Sequence, residues 1–210
     1  MPAKTSYHHG KLKPALISAA LKELSQHGLE GVSLRSVARR AGVSAPAVYR
    51  HFEDKDALLA AVAAECAERL GKIMMEAAAS APPDDPLEAF RAVGIAWVRF
   101  AVANPEHYRA LSLPGLAERA PAEQREGERQ FHEAQKAGLA EAQRHGLIAD
   151  LPLDDLMLTA QVAIDGLAQA IISGKLGKVD DKRAVALATA VTEVLGFGLS
   201  PRPDSAPKKR

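Results

Sequence analysis

A short turn between two helical patterns limits the fold of this chain more than any other feature of its sequence. In "GVSLRSVARRAGVSAPAVYRHF" (31–52) apolar residues recur at helical spacing before Gly42 and again after Ser44. A turn of three to four residues that contains glycine between two short helices is typical of the helix-turn-helix motif. Gly42 supplies the positive φ that such a turn needs, and Val43 packs the two helices together. Ser33 and Ser44 occupy the positions that cap the two helix N-termini.

The second helix of this pair is predicted to be short and to begin with the small residues Ala45, Pro46 and Ala47. It runs from Ala45 to about His51, a length of about 10 Å, which fits a DNA major groove of about 12 Å. Val48 and Phe52 are predicted to point into the core. The side chains left facing outward are Tyr49, Arg50 and His51. Two helices packed for structural reasons, with idle surface charges, are the alternative interpretation.

Helical periodicity continues through the rest of the chain, with proline and glycine at the boundaries. The pattern predicts a first helix from Lys13 to Gly28 and a long fourth helix from Lys55 to about Ala79. After the loop "SAPPDDP" (80–86), further helices are predicted at about 86–103, 105–112, 121–145, 153–173 and 181–196. The predicted fold class is therefore all-α with about nine helices: an N-terminal three-helix helix-turn-helix domain and a C-terminal helical domain.

These patterns also predict the domain organisation. Residues 1–12 form an N-terminal arm, and residues 13–60 form the helix-turn-helix domain, whose fourth helix continues to about residue 79. Residues 80–199 form the second helical domain. The polar, proline-rich end at 200–210 is predicted to be a disordered tail.

Charge, cysteine content and hydropathy narrow the class of protein. Residues 1–60 carry nine Lys and Arg against five Asp and Glu, whereas residues 61–199 carry fourteen against twenty. A basic head on an acidic body indicates that only the head meets a polyanion, although a solvated surface alone often shows a similar excess. The single Cys66 excludes an intramolecular disulfide and a cysteine-cluster zinc site. We predict no metal, no cofactor and no catalytic constellation.

No apolar run approaches the ~20 residues that a membrane span needs. The N-terminus also lacks the apolar core of a signal peptide. Together these features predict a soluble cytoplasmic protein without a membrane partner.

The stretch "GVSLRSVARRAGVSAPAVYRHFEDKDALLAAV" (31–62) closely resembles the DNA-binding signature of the TetR/AcrR family of bacterial transcriptional regulators. The matching positions are Gly31, Ser33, Leu34, Val37, Ala38, Ala41, Gly42, Val43, Ser44, Val48, Tyr49, His51, Phe52, Lys55 and Leu58. The resemblance implies that the third helix is the recognition helix. It implies phosphate contacts from Ser33, Tyr49, His51 and Lys55. It also implies base contacts from the start of the third helix, at Ser44, Ala45, Pro46 and Ala47, and from Arg50. Arg35, near the start of the second helix, is a further candidate for a backbone contact.

The resemblance implies a ligand-binding and dimerisation domain at residues 80–199. This part is similar to a family subset with a late Trp-x-x-x-His-Gly motif, but "AQVAIDGLAQAIISGKL" (160–176) has Asp165 in place of the histidine. The candidate effector-binding residues are Phe90, Trp97, Phe100, Tyr108, Phe131 and Asp165. Each aromatic residue has an ordinary core role as its alternative. Asp165 is either a polar anchor in a pocket or an exposed or subunit-paired residue.

The last two predicted helices, near 153–173 and 181–196, are apolar on more than one face and must therefore be buried. A homodimer formed by this pair is expected mainly from the resemblance, and a single-chain core is the alternative. The resulting hypothesis is a transcriptional regulator, with repression as its expected mode. It binds an inverted-repeat DNA operator and is released by a small, largely apolar effector. The alternatives are a DNA-binding protein without a ligand and a helical enzyme or redox module.

Overall fold

The computed structural model describes residues 12–82 and 84–199, with the side chains of 197–199 left out. Within these ranges the chain forms nine α-helices, a short 3₁₀ helix at Ala117–Arg119 and no β-strand. The helices are α1 (Leu12–Gly31), α2 (Leu34–Ala41), α3 (Ala45–Tyr49), α4 (Lys55–Ser80), α5 (Pro86–Ala103), α6 (Pro105–Leu111), α7 (Ala122–Arg144), α8 (Leu153–Ile172) and α9 (Asp181–Leu199). The predicted all-α fold class is confirmed. The predicted arm, except for its last residue, and the predicted tail at 200–210 lie outside the described residues.

Local signals explain several of the helix boundaries. Gly28 has φ 66° and ψ −174°, so the helical path of α1 breaks where the sequence predicts its end, although helical hydrogen bonding resumes as far as Gly31. Asp54 caps α4, because its Oδ1 accepts the N–H of Ala57 at 2.8 Å.

The chain divides into two compact units, and the division differs from the predicted domain boundaries at 60 and 80. The first unit takes in the described residues up to Arg69 together with Glu106–Glu126. The second takes in Leu70–Pro105 and the described residues from Gly127 onward. The first unit includes a distant stretch of chain because Ala110, Leu116 and Ala120 belong to the same buried core as α1–α4.

In the first unit, large apolar side chains from four helices meet in one core. Its fully buried members include Leu16 and Leu24 of α1, Val37 of α2, Val48 of α3 and Leu58 of α4. Two polar contacts also attach the distant stretch to α4. Nε of Arg119 lies 3.6 Å from Oδ1 of Asp56, and Nε2 of Gln124 donates to the carbonyl of Ala64 at 3.4 Å.

In the second unit, α5 packs against α8 and α9 around Val98, Ile164, Ile171, Ala184 and Ala188. A β-carbon at Gly94 would lie 3.5 Å from Ile164 and 3.6 Å from Thr192, which is ordinary van der Waals contact. A separate cluster joins α7 to α8 through Leu139, Ala142, Ile148, Leu156 and Met157.

Helix α8 corrects one expectation from the sequence. Its 20 residues include an 18-residue window of mean hydropathy 1.3, so it is long and apolar enough to cross a membrane by length and composition. The prediction that no apolar run approaches this length was therefore wrong. A single helix of this composition is weak evidence for a membrane. One face of α8 packs against α5 and α9, and 28% of the window is buried.

Candidate nucleic-acid interface

The turn between α2 and α3 has the geometry that the sequence predicts. Gly42 adopts φ 68° and ψ 29°, and a β-carbon there would meet no atom within 4 Å. Glycine is therefore needed for its conformation and not for space. The N–H of Val43 donates to the carbonyl of Ala38 at 3.0 Å, and that of Gly42 donates to Arg39 at 3.3 Å. This pair of bonds is the Schellman arrangement, which ends α2 and aims the chain into α3.

The N-terminus of α2 is closed by two serines that cap each other. The N–H of Ser36 donates to Oγ of Ser33 at 3.0 Å, and the N–H of Ser33 donates to Oγ of Ser36 at 3.0 Å. The predicted cap at Ser33 is thereby confirmed. A hydroxyl oxygen that accepts one hydrogen bond still has its proton to donate, so Ser33 keeps the capacity to bind an anion.

The predicted side-chain cap at Ser44 does not form. Ser44 occupies the N-cap position of α3 with φ −74° and ψ 148°, but its side chain makes no capping hydrogen bond. The reason lies in the next residues, because Pro46 has no N–H and the N–H of Ala47 already donates to the carbonyl of Ser44 at 2.9 Å. The exposed hydroxyl of Ser44 is therefore not committed to the helix.

Helix α3 separates buried from exposed side chains along its five residues. It is about 7.5 Å long and ends at Tyr49, two residues earlier than predicted, in a tight turn in which the N–H of His51 and that of Phe52 both donate to Val48. Val48 and Phe52 lie in the core as predicted, whereas Tyr49 is 52% exposed and Arg50 is exposed. Ala47 is only 7% exposed and packs in that core, so its burial does not favour the base contact predicted for it.

An open depression of about 290 Å³ lies beside α3. Its walls are Ser33, Leu34, Arg35, Tyr49, Glu53, Asp54 and Lys55. Four of the candidate DNA-binding residues, namely Ser33, Arg35, Tyr49 and Lys55, are thus brought together. Ser44, Ala45, Pro46, Arg50 and His51 do not line it. Glu53 was not predicted to be a site residue, although it lies between the candidates His51 and Lys55 in the sequence.

The two arginines that end α2 have different surroundings. Arg40 donates through Nε to Oε1 of Glu23 and through Nη2 to Oε1 of Gln26, so it joins α2 to α1. The hydrogen bond from Arg40 lowers the pKa of the buried Glu23 carboxyl, and this effect outweighs the opposing effect of burial. Arg39, the residue directly before Arg40 in α2, is exposed.

Two family models match this chain. The model for bacterial regulatory proteins of the tetR family matches residues 16–62. The model for a tetracyclin repressor-like C-terminal domain matches residues 90–194, which is half of the 210 residues. The protein belongs to the TetR/AcrR family.

Individual relatives agree with this assignment. The HTH-type transcriptional regulator AcrR of Shigella flexneri is 31% identical over 93 residues, which are 44% of this chain and 43% of AcrR. The class A tetracycline repressor protein from transposon 1721 of Escherichia coli is 48% identical over 54 residues, 25% of each chain. The chain thus matches less than half of the length of these two curated relatives. These relatives are transcription regulators by name and not enzymes.

A solved structure extends the likeness to nearly the whole chain. The TetR-family transcription regulator from Marinobacter aquaeolei VT8 superposes with a TM-score of 0.74, covering 92% of this chain and 97% of that one. Its sequence is only 19% identical, so the likeness shows the fold. The N-terminal helix-turn-helix and the helical C-terminal part therefore have the same fold as that regulator.

The candidate effector-binding residues of this TetR-family chain are not gathered in one cluster. Tyr108 lies in the first unit, and its carbonyl accepts the hydroxyl of Ser112 at 3.0 Å. In the second unit, Phe90 packs against the α7–α8 cluster and Trp97 against the α5–α8–α9 cluster. Phe100 is buried, whereas Phe131 is half-buried on α7. The half-buried Asp165 accepts from Nε2 of Gln161 at 2.9 Å, one turn earlier on α8.

Proposed function

We propose that this TetR-family protein is a sequence-specific DNA-binding repressor. It binds an inverted-repeat operator as a homodimer, and a small, largely apolar ligand releases it. The observation that carries the proposal is a helix-turn-helix whose short third helix exposes Tyr49 and Arg50 beside a depression that holds Arg35 and Lys55. TetR-family proteins are DNA-binding transcription regulators, typically repressors, and a ligand response is typical of the family.

The proposed DNA contacts divide into two groups. Ser33, Arg35, Tyr49 and Lys55 line one depression, and a phosphate at its rim would be within reach of hydroxyl and cationic donors. His51, half-buried just beyond α3, is proposed to join this group. The proposed base contacts come from Ser44, Ala45, Pro46 and Arg50, and the uncommitted hydroxyl of Ser44 supports this role. Ala47 is omitted because it is buried.

The proposed homodimer uses α8 and α9. Both helices pack against α5, yet α8 exposes Leu158 at 62% and Val162 at 61%, and α9 exposes Val194 at 70%. Large apolar side chains at this exposure favour burial against a partner. A homodimer is typical of the family, and it would present two recognition helices about 34 Å apart, one helical turn of DNA.

We propose that the effector site lies beside α5, which carries Phe90, Trp97 and Phe100, and includes Asp165 of the neighbouring α8. Trp97 is the only tryptophan of the chain, so ligand binding near α5 would change a single fluorescence signal. We propose that the protein catalyses no reaction. We also propose that it is cytoplasmic, because the DNA that it binds is there.

The deciding experiment selects bound fragments from a pool of random DNA duplexes with the full-length protein at physiological salt. We expect enrichment of an inverted repeat with half-sites about 10 base pairs apart or a small multiple of that. The absence of any enriched repeat would contradict specific DNA binding. Light scattering of the wild type and of Val162→Glu tests the dimer: the wild type should have twice the chain mass and the variant should dissociate.

The ligand part of the proposal is tested on the selected duplex. A panel of apolar small molecules is screened for release of fluorescent operator, and Trp97 emission is recorded in the absence of DNA. We expect compounds that release the duplex to change the emission. Release by none of a broad panel would favour a DNA-binding protein without a ligand.

A further inference from the structure

The depression beside α3 contains as many carboxylates as cations. Arg35 and Lys55 supply two positive charges, and Glu53 and Asp54 supply two negative charges. The formal charge of the depression is therefore zero, which is unexpected for a surface proposed to receive a phosphate. Phosphate binding accounts for neither carboxylate, because both repel a phosphate.

Asp54 has a structural role and Glu53 does not share it. Oδ1 of Asp54 accepts the N–H of Ala57 at 2.8 Å and so caps α4. The side chain of Glu53 is exposed, and within the described ranges no ion pair or side-chain hydrogen bond involves it. Glu53 therefore adds negative charge to the depression without making a capping hydrogen bond to α4.

We infer that Glu53 limits the affinity of this protein for DNA. The inference rests on the proposed function, because it assumes that a phosphate docks at the depression. A carboxylate in the wall repels that phosphate, and it also offsets the attraction of Arg35 and Lys55. The repulsion is short in range, since the Debye length is about 8 Å at physiological ionic strength.

The inference predicts how the effect is distributed over DNA sequences. A residue that acts on the phosphate backbone changes binding by nearly the same factor for all sequences, whereas a residue that reads a base edge changes the preference among them. Glu53 should thus set the overall strength of binding and leave the ratio of operator to random DNA unchanged.

The test measures binding of the full-length wild type and Glu53→Gln to two fluorescent duplexes, the selected operator and a scrambled duplex of equal length. At about 0.1 M salt we expect Glu53→Gln to bind both duplexes about three- to tenfold more tightly, with the gain shrinking as salt is raised. Glu53→Asp keeps the charge and should bind like the wild type.

Glu68→Gln is the matched control. It removes the same charge from an exposed position of α4, about 20 Å along the helix from Lys55, and should leave both affinities unchanged. Equal tightening in Glu68→Gln would overturn the inference, because it would assign the gain to net charge alone. Unchanged or weaker binding by Glu53→Gln, or a gain on the operator alone, would also overturn it. If neither the wild type nor Glu53→Gln binds any duplex, the proposed function fails and the inference fails with it.

Discussion

Arg40 of α2 is held by Glu23 of α1, through a hydrogen-bonded ion pair whose carboxylate is buried. Arg40 is thus part of the scaffold that orients the helix-turn-helix. Its neighbour Arg39 is exposed at the same helix end and is available to solvent. Two adjacent arginines of identical chemistry should therefore respond differently to the same substitution.

We predict that Arg40→Gln destabilises the protein by about 1–3 kcal/mol, because it leaves a buried carboxylate without its charged donor. Arg39→Gln should leave stability unchanged within about 0.5 kcal/mol. Urea unfolding followed by circular dichroism measures both. Equal stability of the two variants would show that the ion pair contributes nothing to the fold.

The same pair predicts a dependence of stability on pH. The pKa of Glu23 in the folded protein is below its ordinary value of 4.5, so the unfolded chain binds this proton more readily. The contribution of Glu23 is complete above about pH 4.5 and is lost as the pH falls toward the folded-state pKa. Glu23→Gln should flatten the acid side of the stability profile, whereas Glu30→Gln, at an exposed position of α1, should not. Parallel acid profiles for the wild type and Glu23→Gln would contradict this assignment.

Gly42 should tolerate a larger residue poorly despite the open space around it. Gly42→Val forces a β-branched residue to φ 68° and should cost about 1–2 kcal/mol or more. Gly71→Ala is a control of opposite sign, because Gly71 lies within α4 and a β-carbon there meets no atom within 4 Å. It should stabilise the chain by about 0.5–1 kcal/mol. Melting temperatures of the two variants decide, and an unchanged value for Gly42→Val would count against the turn geometry.

Tyr49 and Val48 are neighbours on α3 with opposite roles. Tyr49→Ala should weaken binding to the selected duplex about tenfold or more and leave stability unchanged, because the ring is half exposed and its hydroxyl is proposed to donate to a phosphate. Val48→Ala should instead cost about 1.5–3 kcal/mol of stability, since it opens a cavity in the core. Intact affinity in Tyr49→Ala would refute the proposed phosphate contact.

Cys66 should be inert in the folded protein. Burial raises the pKa of its thiol to about 12, so the reactive thiolate is scarce at neutral pH. Alkylation by iodoacetamide, followed by mass spectrometry, should be slow in buffer and fast in concentrated urea. Rapid labelling in buffer would mean that the core around Cys66 opens readily.

The helix boundaries were predictable to within a few residues, because proline, glycine and capping residues act over a few neighbouring positions. The turn at Gly42 and the cap at Ser33 follow from such local chemistry. The failed cap at Ser44 depends on a competing backbone bond from Ala47, and that bond is visible only once the turn is built.

Contacts between distant parts of the chain were not predictable in this way. The periodicity of residues 105–120 indicates a helix and a loop, but nothing local indicates that Leu116 packs with α1–α4. Family resemblance implied phosphate contacts from Ser33, Tyr49 and Lys55, and Arg35 was a separate candidate from its place near the start of the second helix. Their position around one depression came from the structure. The presence of Glu53 in its wall came from the three-dimensional arrangement.

The burial of Leu116 and Ala120 with α1–α4 has a consequence for how the protein is made. A ribosome finishes the helix-turn-helix long before it reaches residue 116, and at about 5–20 residues per second the intervening chain takes several seconds to appear. During that interval the nascent helix-turn-helix domain lacks part of its hydrophobic core. The nascent DNA-binding region is therefore incomplete until the chain is more than half synthesised. A fragment that stops at the end of α4 would permanently expose the apolar surface that Leu116 and Ala120 contact in the whole chain.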